Sequence, residues 1–296
     1  MNSNILYLTK DELRKLKTIG YGTDGMVYKY KNNLLVKIYH SNPKSTFTSR
    51  IDLKNDEDVK IYSKGQKIKS NYYENCLNYF LYNNEEIKIL PKEALFKAIE
   101  RQKNIDLTSL PLGVVYLNNK FSGCILKRHY GIQLHKLMFL PLEKRKSLFL
   151  KILKANRELL ENNIYHRDLA NSPYVKKDII LPNKTIVKSG HSHILVNPLN
   201  KDINIIDLDG KSTVYTEKHN EKYLLQNALN LNILALEFLF KLDYEEYKEN
   251  LEDLYPEFDK YEIKLSTIEK ILSMNIMQDE LESVVKTLKM KRGKNE

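Results

Sequence analysis

The sequence predicts an α+β protein of two parts: an N-terminal antiparallel β-sheet with one main helix, and a mainly helical C-terminal part. Short strand patterns separated by glycine or asparagine turns occupy residues 13–36 and 112–127. A helix pattern runs from Pro91 to about Lys103, and apolar residues recur at helical spacing from Leu142 onward. We therefore divide one domain into a part spanning 1–127 and a part spanning 128–296.

The composition is that of a globular protein, with 296 residues of which 42% are hydrophobic and 29% charged. No apolar run approaches the roughly 20 residues that span a bilayer, and the longest candidate, 233–240, is interrupted by Glu237. Residues 1–5 lack the basic segment and apolar core of a secretory signal, which predicts a cytoplasmic protein with no membrane partner. Cys76 and Cys124 belong to no paired motif, so the sequence predicts neither a disulfide framework nor a zinc site.

The formal net charge of +10 reflects a lysine-rich composition spread along the chain. The basic residues cluster tightly at the C-terminal tail, which is typical of a solvated end. The sequence shows no zinc-finger spacing and no RNA-recognition signature, which argues against a nucleic-acid partner. Oligomerisation is neither implied nor excluded. The residues of the basic tail are Lys286, Lys289, Lys291, Arg292 and Lys294.

A glycine-rich turn lies among the first predicted strands. Residues 20–27 fit the pattern G-x-G-x-x-G-x-V through Gly20, Gly22, Gly25 and Val27. Glycines let the backbone fold tightly over phosphate groups and present its N–H groups to them. A dinucleotide-binding loop has similar spacing but must open a helix, whereas the residues after this turn alternate and favour strand. The context therefore favours a β-hairpin that covers a nucleotide.

Lys37 lies in the middle of an apolar strand pattern, 34–39. Burying a lysine there is costly unless the ammonium group has a partner, and nucleotide phosphates together with a carboxylate provide one. The alternative is an edge strand whose lysine reaches solvent. The glycine turn just upstream favours the first interpretation.

Two polar turns follow buried elements in the C-terminal part. A helix pattern over 142–162 leads to the segment His166-Arg167-Asp168-Leu169, and an apolar strand pattern leads to Asp207-Leu208-Asp209-Gly210. This arrangement places carboxylates at the ends of buried elements. There one carboxylate can accept a proton and another can hold a metal ion.

The glycine turn, the strand lysine and the two polar turns together resemble the motifs of the protein-kinase superfamily, in the same order, over roughly 16–240. The resemblance implies a two-lobed protein-kinase-like fold that binds ATP with Mg²⁺ (or Mn²⁺) between the lobes. It implies that Asp168 accepts or orients the hydroxyl proton of the acceptor and that Asp207 is the main metal ligand. Arg167 would hold the loop or neutralise a carboxylate, and His166 would be structural.

The same resemblance implies further supporting residues. A helix glutamate should pair with Lys37, and the helix from Pro91 offers Glu93 at its start and Glu100 two turns later. We prefer Glu93, because the apolar face of that helix suits packing beside the sheet. Asn230 occupies the place in the long apolar helix 224–240 where the family commonly has an aspartate that anchors the catalytic loop.

The chain departs from the family pattern after the His-Arg-Asp segment. The metal-binding asparagine would fall at position 173, which is Pro173, and the following strand pattern appears only after His193, an insertion of 193 − 173 = 20 residues. Imidazole is a poor ligand for Mg²⁺. Either this metal site is weakened, or Asn171 reaches in from the enlarged loop, or catalysis is lost. Asp209, where the family often has glycine, offers an additional metal carboxylate.

Three functions follow from the resemblance. The first is an atypical, bacterial-type protein kinase that phosphorylates Ser or Thr hydroxyls of a protein, which Arg167 favours. The second is a phosphotransferase for a small hydroxylated metabolite or antibiotic, similar to the aminoglycoside phosphotransferases, which Asp209 and the short segment after Gly210 favour. The third is a nucleotide-binding pseudokinase scaffold, which Pro173 and His193 favour.

Overall fold

The structure of the protein is a computed structural model. It describes most of the chain, but only short strands within 40–90 and 170–191. Cys76, Asn171, Pro173, Gly22 and Gly210 lie outside the described residues. The backbone alone is described for 51–52, 60–63, 66–67, 91–94, 178–180, 186–188 and 245–246. The described residues are 5–21, 25–31, 33–39, 51–52, 60–63, 66–67, 91–169, 178–180, 186–188, 192–209, 213–247, 250–274 and 276–293.

The chain is α+β and divides into two compact units, as described below. The first, here called the sheet unit, comprises Met1–Gln102, Leu110–Arg128 and Asp209–Lys211. The second, the helical unit, comprises Lys103–Ser109, His129–Leu208 and Ser212–Glu296. All six strands of the N-terminal sheet belong to the first unit and most of the described helices to the second, which confirms the predicted fold class.

Six strands of the described residues form the main sheet of the sheet unit, in the order β1-β8-β9-β4-β3-β2. Neighbouring strands are antiparallel except β1 and β8, which are parallel. The predicted sheet was antiparallel throughout and lacked β1, so the structure adds a parallel edge strand. The strands are β1 Ile5–Leu8, β2 Thr18–Tyr21, β3 Gly25–Lys29, β4 Leu34–Tyr39, β8 Gly113–Leu117 and β9 Lys120–Lys127.

Helix α1, Lys10–Lys15, occupies positions where the sequence analysis began its first strand. A capping box explains the difference: the Thr9 hydroxyl accepts from the Glu12 N–H at 3.2 Å, and the Glu12 carboxylate accepts from the Thr9 N–H at 2.7 Å. Leu13 is buried against Val36 and Val115, so the helix still contributes to the core of the sheet. The prediction of a strand from Leu13 is wrong.

The hairpin of β8 and β9 confirms the turn predicted at Asn118 and Asn119. Both asparagines have positive φ, 48° and 64°, which matches the right-handed twist of the flanking strands. Helix α2, Pro91–Arg101, packs Leu95 on these strands and continues into a 3₁₀ turn, Gln102–Asn104, so the predicted helix is confirmed.

The polar, charge-mixed sequence of 41–69 predicts a long loop or a short helix, but a small antiparallel sheet lies there. The described residues of this segment are strands, so the prediction is wrong for them. Isoleucine and tyrosine favour a pleated strand, and their local pattern was obscured by the surrounding charged residues. The strands are β5 Ile51–Asp52, β6 Lys60–Ser63 and β7 Gln66–Lys67.

Long helices form the core of the helical unit. Helix α3, Leu142–Glu161, buries Phe149 and Ile152, and helix α4, Glu221–Leu234, continues into a π-helical turn, Ala235–Leu239, that is buried on all sides. Both predicted helices are confirmed. The shorter helices are the 3₁₀ segments Leu134–Leu137 and Leu251–Lys260 with α5 Tyr244–Tyr247, α6 Leu265–Leu272 and α7 Gln278–Thr287.

Short strand pairs position the polar turns of the helical unit. β11 pairs with β16, β14 lies between β10 and β15, and β12 pairs with β13 as an antiparallel pair within the insertion. None of the described helices combines the length and apolarity needed to cross a membrane. The strands are β10 Ile132–Gln133, β11 Ile164–His166, β12 Asp178–Ile180, β13 Ile186–Lys188, β14 Ile194–Val196, β15 Ile203–Ile205 and β16 Thr213–Tyr215.

Candidate active site

The glycine turn joins β2 to β3, and its glycines differ in what they do. A Cβ on Gly25 would overlap the backbone carbonyl of Ile38 on β4, so the close approach of β3 to β4 requires glycine there. A Cβ on Gly20 would make only ordinary contact with Val27, 3.6 Å from its Cβ, across the β2–β3 pair. Gly25 therefore has a packing role, and the phosphate-binding role of the turn remains a prediction.

Lys37 lies on a central strand. In β4 it pairs with Val27 on one side and with Cys124 on the other, which rules out the edge-strand alternative. Its side chain is 9% exposed, and Nζ lies 2.9 Å from Oδ1 and 2.8 Å from Oδ2 of Asp209. The lysine that the sequence analysis expected to need a partner thus has a carboxylate partner within the sheet unit.

Asp209 forms an ion pair with Lys37, the kind of contact that we expected from a helix glutamate. The sequence analysis assigned Asp209 to the metal, but the structure places its carboxylate, 4% exposed, on the Lys37 ammonium. Glu93 lies in the first turn of α2, at a position where the structure describes the backbone only, and Glu100 is exposed. Pairing of Glu93 with Lys37 remains a prediction.

Tyr39 and Cys124 complete the surroundings of this ion pair. The Tyr39 hydroxyl donates to the backbone oxygen of Asp209 at 3.1 Å and lies 3.5 Å from the sulfur of Cys124, a buried thiol that forms no disulfide. Burial, followed by the negative charge of Asp209, raises the pKa of Tyr39 well above its usual value, so the hydroxyl remains a donor. We call Lys37, Tyr39, Cys124 and Asp209 the lysine cluster.

Tyr39 and Gly123 also contribute to the lysine site, although neither was among the residues predicted for it. A Cβ on Gly123 would overlap the backbone oxygen of Lys37, so this glycine lets β9 lie against β4 at the lysine. Tyr39 is two residues after Lys37 and therefore shares its face of the strand. That period-two spacing was the signal that could have identified Tyr39, whereas Gly123 requires knowledge of the strand pairing.

His166 is fully buried at the end of β11, under the predicted catalytic loop. Its Nδ1 accepts from the Asp168 N–H at 3.1 Å, so the proton resides on Nε2, which donates to the backbone oxygen of Ile206 at 3.0 Å. Burial, followed by the electrostatic effect of the neighbouring His193, lowers the pKa of His166 to about 4. The neutral ring fixes the loop to the strand that leads to Asp207, which confirms its predicted structural role.

Asp168, His193 and Asp207 lie together in the helical unit, and we call them the carboxylate–histidine cluster. His193 Nε2 lies 3.1 Å from Asp168 Oδ2, and His193 Nδ1 lies 3.9 Å from Asp207 Oδ2. The pairing of β14 with β15 brings His193 and Asp207 together, since the Ile206 N–H donates to the His193 carbonyl at 2.8 Å. The side chains are 46%, 18% and 21% exposed for Asp168, His193 and Asp207.

Asp207 has a left-handed backbone, with φ of 67°. Such a conformation is uncommon for a residue other than glycine and persists where the surroundings enforce it, often at functional sites. Here the Thr213 hydroxyl donates to the Asp207 carbonyl at 3.3 Å, and the Tyr215 hydroxyl donates to the Leu208 carbonyl at 2.5 Å. Strand β16 therefore holds the acidic turn.

Asn227 anchors the loop, and the prediction that Asn230 does so is wrong. The Asn227 amide donates to the His166 carbonyl at 3.2 Å and exchanges hydrogen bonds with the buried Asn156, which also donates to Gln278. The Asn230 amide instead donates to a carbonyl of its own helix at 2.8 Å. The two asparagines lie on nearby faces of α4, and only tertiary packing decides which one meets the loop.

Arg167 is buried, with 7% exposure, and its predicted role in holding the loop remains a prediction. The predicted metal ligands His193 and Asp207 lie close together in the helical unit, and their binding of a metal ion remains a prediction. No group of three or more His, Cys, Asp or Glu side chains in the described part of the chain has the arrangement of a metal site. Two protein donors suit an ion that takes its other ligands from phosphate and water.

No protein-family model matches the chain, and no curated protein is similar to it. Among solved structures, it is similar to the Cydia pomonella granulovirus kinase PK-1, with a TM-score of 0.47 and 13% sequence identity. The similarity covers 92% of this chain and 94% of that one.

Proposed function

We propose that the protein is a phosphotransferase of the protein-kinase type that transfers the γ-phosphate of ATP to a hydroxyl group. The observation that carries this proposal is the pairing of motif residues within each unit. Lys37 meets Asp209 in the sheet unit, and Asp168 meets His193 beside Asp207 in the helical unit. Since Asp207 and Asp209 are two residues apart in the sequence, the chain itself connects the two clusters.

Asp168 is the proposed base. Its carboxylate is 46% exposed, so an acceptor hydroxyl can reach it, and the His193 Nε2–H bond orients it. The Asp168 N–H bond to His166 fixes the backbone of the loop from the other side. The carboxylate is thus held in place while remaining accessible, as proton transfer requires.

Lys37 is the proposed phosphate-binding cation. Its ammonium bonds to the Asp209 carboxylate, and the Tyr39 hydroxyl donates to the backbone oxygen of the same aspartate, so little side-chain freedom is lost when the lysine meets a phosphate oxygen. A divalent ion at Asp207 would neutralise charge on the phosphates. The glycine turn between β2 and β3 would cover the same phosphates with backbone N–H groups.

For the acceptor, we propose a Ser or Thr hydroxyl of a protein, on the strength of Arg167 in the loop motif. A small hydroxylated molecule is the second candidate. The short connection from Asp209 to β16 at Thr213, and then to α4 at Glu221, favours it because little chain is present to bind a peptide. Pro173, in place of the family's asparagine, favours the pseudokinase alternative.

The test is transfer of labelled γ-phosphate with Mg²⁺ or Mn²⁺, with and without a basic protein acceptor and a panel of small hydroxylated acceptors. The Asp168→Asn variant should transfer no label while binding ATP normally. Asp259→Asn is the matched control, because Asp259 is exposed and belongs to neither cluster. Equal transfer by the Asp168→Asn variant and wild type would exclude Asp168 as the base.

The distribution of the label separates the three functions. Label on protein supports a protein kinase, and label on a small acceptor alone supports a small-molecule phosphotransferase. ATP binding with no label on any acceptor supports a pseudokinase. Absence of ATP binding would contradict all three.

A further inference from the structure

The basic tail is bonded to the helical unit along its backbone. Tyr261 pairs with Met290 in an antiparallel bridge, and backbone hydrogen bonds of 2.8 and 2.9 Å lie on either side of it. Just before the bridge, the Lys146 ammonium donates to the Leu288 carbonyl at 2.5 Å. Tyr261 and Leu288 are each 1% exposed, so both pack into the core of the unit. The backbone of 288–291 is therefore held in place, whereas its charge pattern predicted a solvated end.

The two bridged segments direct alternate side chains to opposite sides, as extended strands do. The side chains on the inward side are apolar and buried or half-buried, and those on the outward side are charged. Across the bridge, Glu262 lies opposite Lys289 and Lys260 lies opposite Lys291. The inward side chains are Tyr261, Ile263, Leu288 and Met290, and the outward ones are Lys260, Glu262, Lys264, Lys289 and Lys291.

The outward side has an excess of positive charge. We call its cations, with the exposed arginine that follows them, the cationic ribbon: Lys260, Lys264, Lys289, Lys291 and Arg292. Among the described residues, these cations take part in a single ion pair, in which the Lys260 ammonium lies 3.2 Å from the Glu257 carboxylate. Glu262 lies on the same face as the ribbon. The five cations therefore exceed these two acids by three positive charges.

We propose that the cationic ribbon is a docking surface for an acidic segment of a protein. Complementary charge across an interface selects the partner and speeds the encounter. Glu262 interrupts the positive charge, so it suits a peptide that places a neutral or basic residue between acidic ones. A nucleic acid, which is negative at every phosphate, would place one against this carboxylate.

The aromatic and apolar side chains of the ribbon also favour a protein partner. Single-stranded nucleic acids stack their bases on accessible aromatic rings, whereas Tyr261 is buried. Basic surfaces that bind membranes insert neighbouring apolar side chains, whereas the apolar side chains here face inward. That the acidic segment belongs to the phosphate acceptor rests on the proposed function. Docking in the unit that contains Asp168 would raise the effective concentration of the acceptor hydroxyl.

The experiment measures, by fluorescence anisotropy at low salt, the binding of a labelled peptide with glutamates on both sides of a central lysine to the full chain. Lys289→Glu/Lys291→Glu should weaken binding about tenfold or more, since each reversal replaces an attraction by a repulsion. Lys15→Glu/Lys17→Glu changes the net charge equally at exposed positions of the sheet unit, and this matched control should bind as the wild type does. Added salt should weaken wild-type binding, because the ribbon is exposed.

Two competitors test the class of partner, namely a single-stranded oligonucleotide and phosphatidylserine vesicles. The proposal predicts that neither binds as tightly as the peptide, and tighter binding of either one would overturn the assignment to a protein. Absence of peptide binding by the wild type, or equal losses in the two charge-reversal variants, would overturn the docking surface itself.

Label transfer to a protein acceptor with an acidic segment connects the ribbon to the proposed function. Lys289→Glu/Lys291→Glu should raise the KM for that acceptor and leave kcat and the KM for ATP unchanged, because docking contributes binding outside the reacting groups. An unchanged acceptor KM would show that the docked segment is not part of the acceptor. Peptide binding by a chain that transfers no label would leave the docking surface standing and count against the phosphotransferase.

Discussion

The lysine cluster and the carboxylate–histidine cluster contain similar charged groups in opposite surroundings. The side chains of Lys37 and Asp209 are 9% and 4% exposed, whereas Asp168 is 46% exposed and Asp207 21%. A buried ion pair is costly to break, because each charge left alone has lost its hydration. An exposed carboxylate can lose its charge at little cost. We therefore infer that the lysine cluster contributes both to the stability of the fold and to the binding of ATP. We infer that the carboxylate–histidine cluster contributes mainly to phosphate transfer.

Removing one charge of the buried pair should have the largest effect on stability. Lys37→Met leaves Asp209 buried without its cation and should lower the free energy of unfolding by about 3–5 kcal/mol. The double variant Lys37→Met/Asp209→Leu should recover most of that loss, since an apolar pair of similar volume replaces both charges. Denaturant unfolding measures both, and a loss below about 1 kcal/mol in the single variant would contradict the assigned burial of the pair.

Asn227 and Asn230 provide a second comparison, within helix α4. Asn227→Ala removes the donor to the His166 carbonyl and leaves Asn156 without its partner, so it should cost about 2–3 kcal/mol. Asn230→Ala removes a bond within its own helix and should cost about 1 kcal/mol. Thermal and denaturant unfolding show which variant loses more stability. A larger loss for Asn230→Ala would support Asn230, rather than Asn227, as the residue that anchors the loop.

The glycines of the sheet unit offer a third comparison. Gly25→Ala forces a Cβ against the Ile38 carbonyl and should destabilise by about 1–3 kcal/mol, as overpacking does. Gly20→Ala meets only the Val27 side chain and should change stability by less than about 0.5 kcal/mol. Equal losses in chemical denaturation would show that the spacing between β3 and β4 is not what requires glycine.

Asp168→Asn should have the smallest effect on stability and the largest on transfer. The side chain is nearly half exposed, and asparagine can still accept from His193, so the free energy of unfolding should stay within about 0.5 kcal/mol of the wild type. Parallel unfolding and label-transfer measurements separate the two effects. A variant that loses both stability and transfer would place Asp168 among the structural groups, against the comparison drawn above.

Local patterns predicted the features that depend on neighbouring residues. The helix over 142–161, the hairpin at Asn118 and Asn119, and the strand that carries Lys37 all follow from short-range periodicity or turn chemistry. Helix α1 was missed because the capping box at Thr9 and Glu12 outweighs a β-like apolar pattern. Helical order there depends on two side-chain bonds, which a count of apolar residues does not detect.

Contacts between residues far apart in the sequence could not be predicted from local patterns. Lys37 and Asp209 are 172 positions apart, so the residues beside the lysine carry no sign of its partner. His193 is 25 positions from Asp168, and its approach to Asp207 depends on the pairing of β14 with β15, so neither contact is visible in the local sequence. The order of the motifs predicted which residues belong to a site, and tertiary packing determined the partner of each one.

The most direct test of the central claim is the ATP affinity of the Lys37→Met/Asp209→Leu variant, measured by calorimetry with Mn²⁺ beside the wild type and Asp168→Asn. The double variant keeps the buried site free of unpaired charge, so lost binding cannot be attributed to unfolding. We predict that it binds ATP at least about tenfold more weakly, a loss of about 1.4 kcal/mol, while Asp168→Asn binds normally. Wild-type affinity in a folded double variant would contradict the assignment of Lys37 to the nucleotide phosphates.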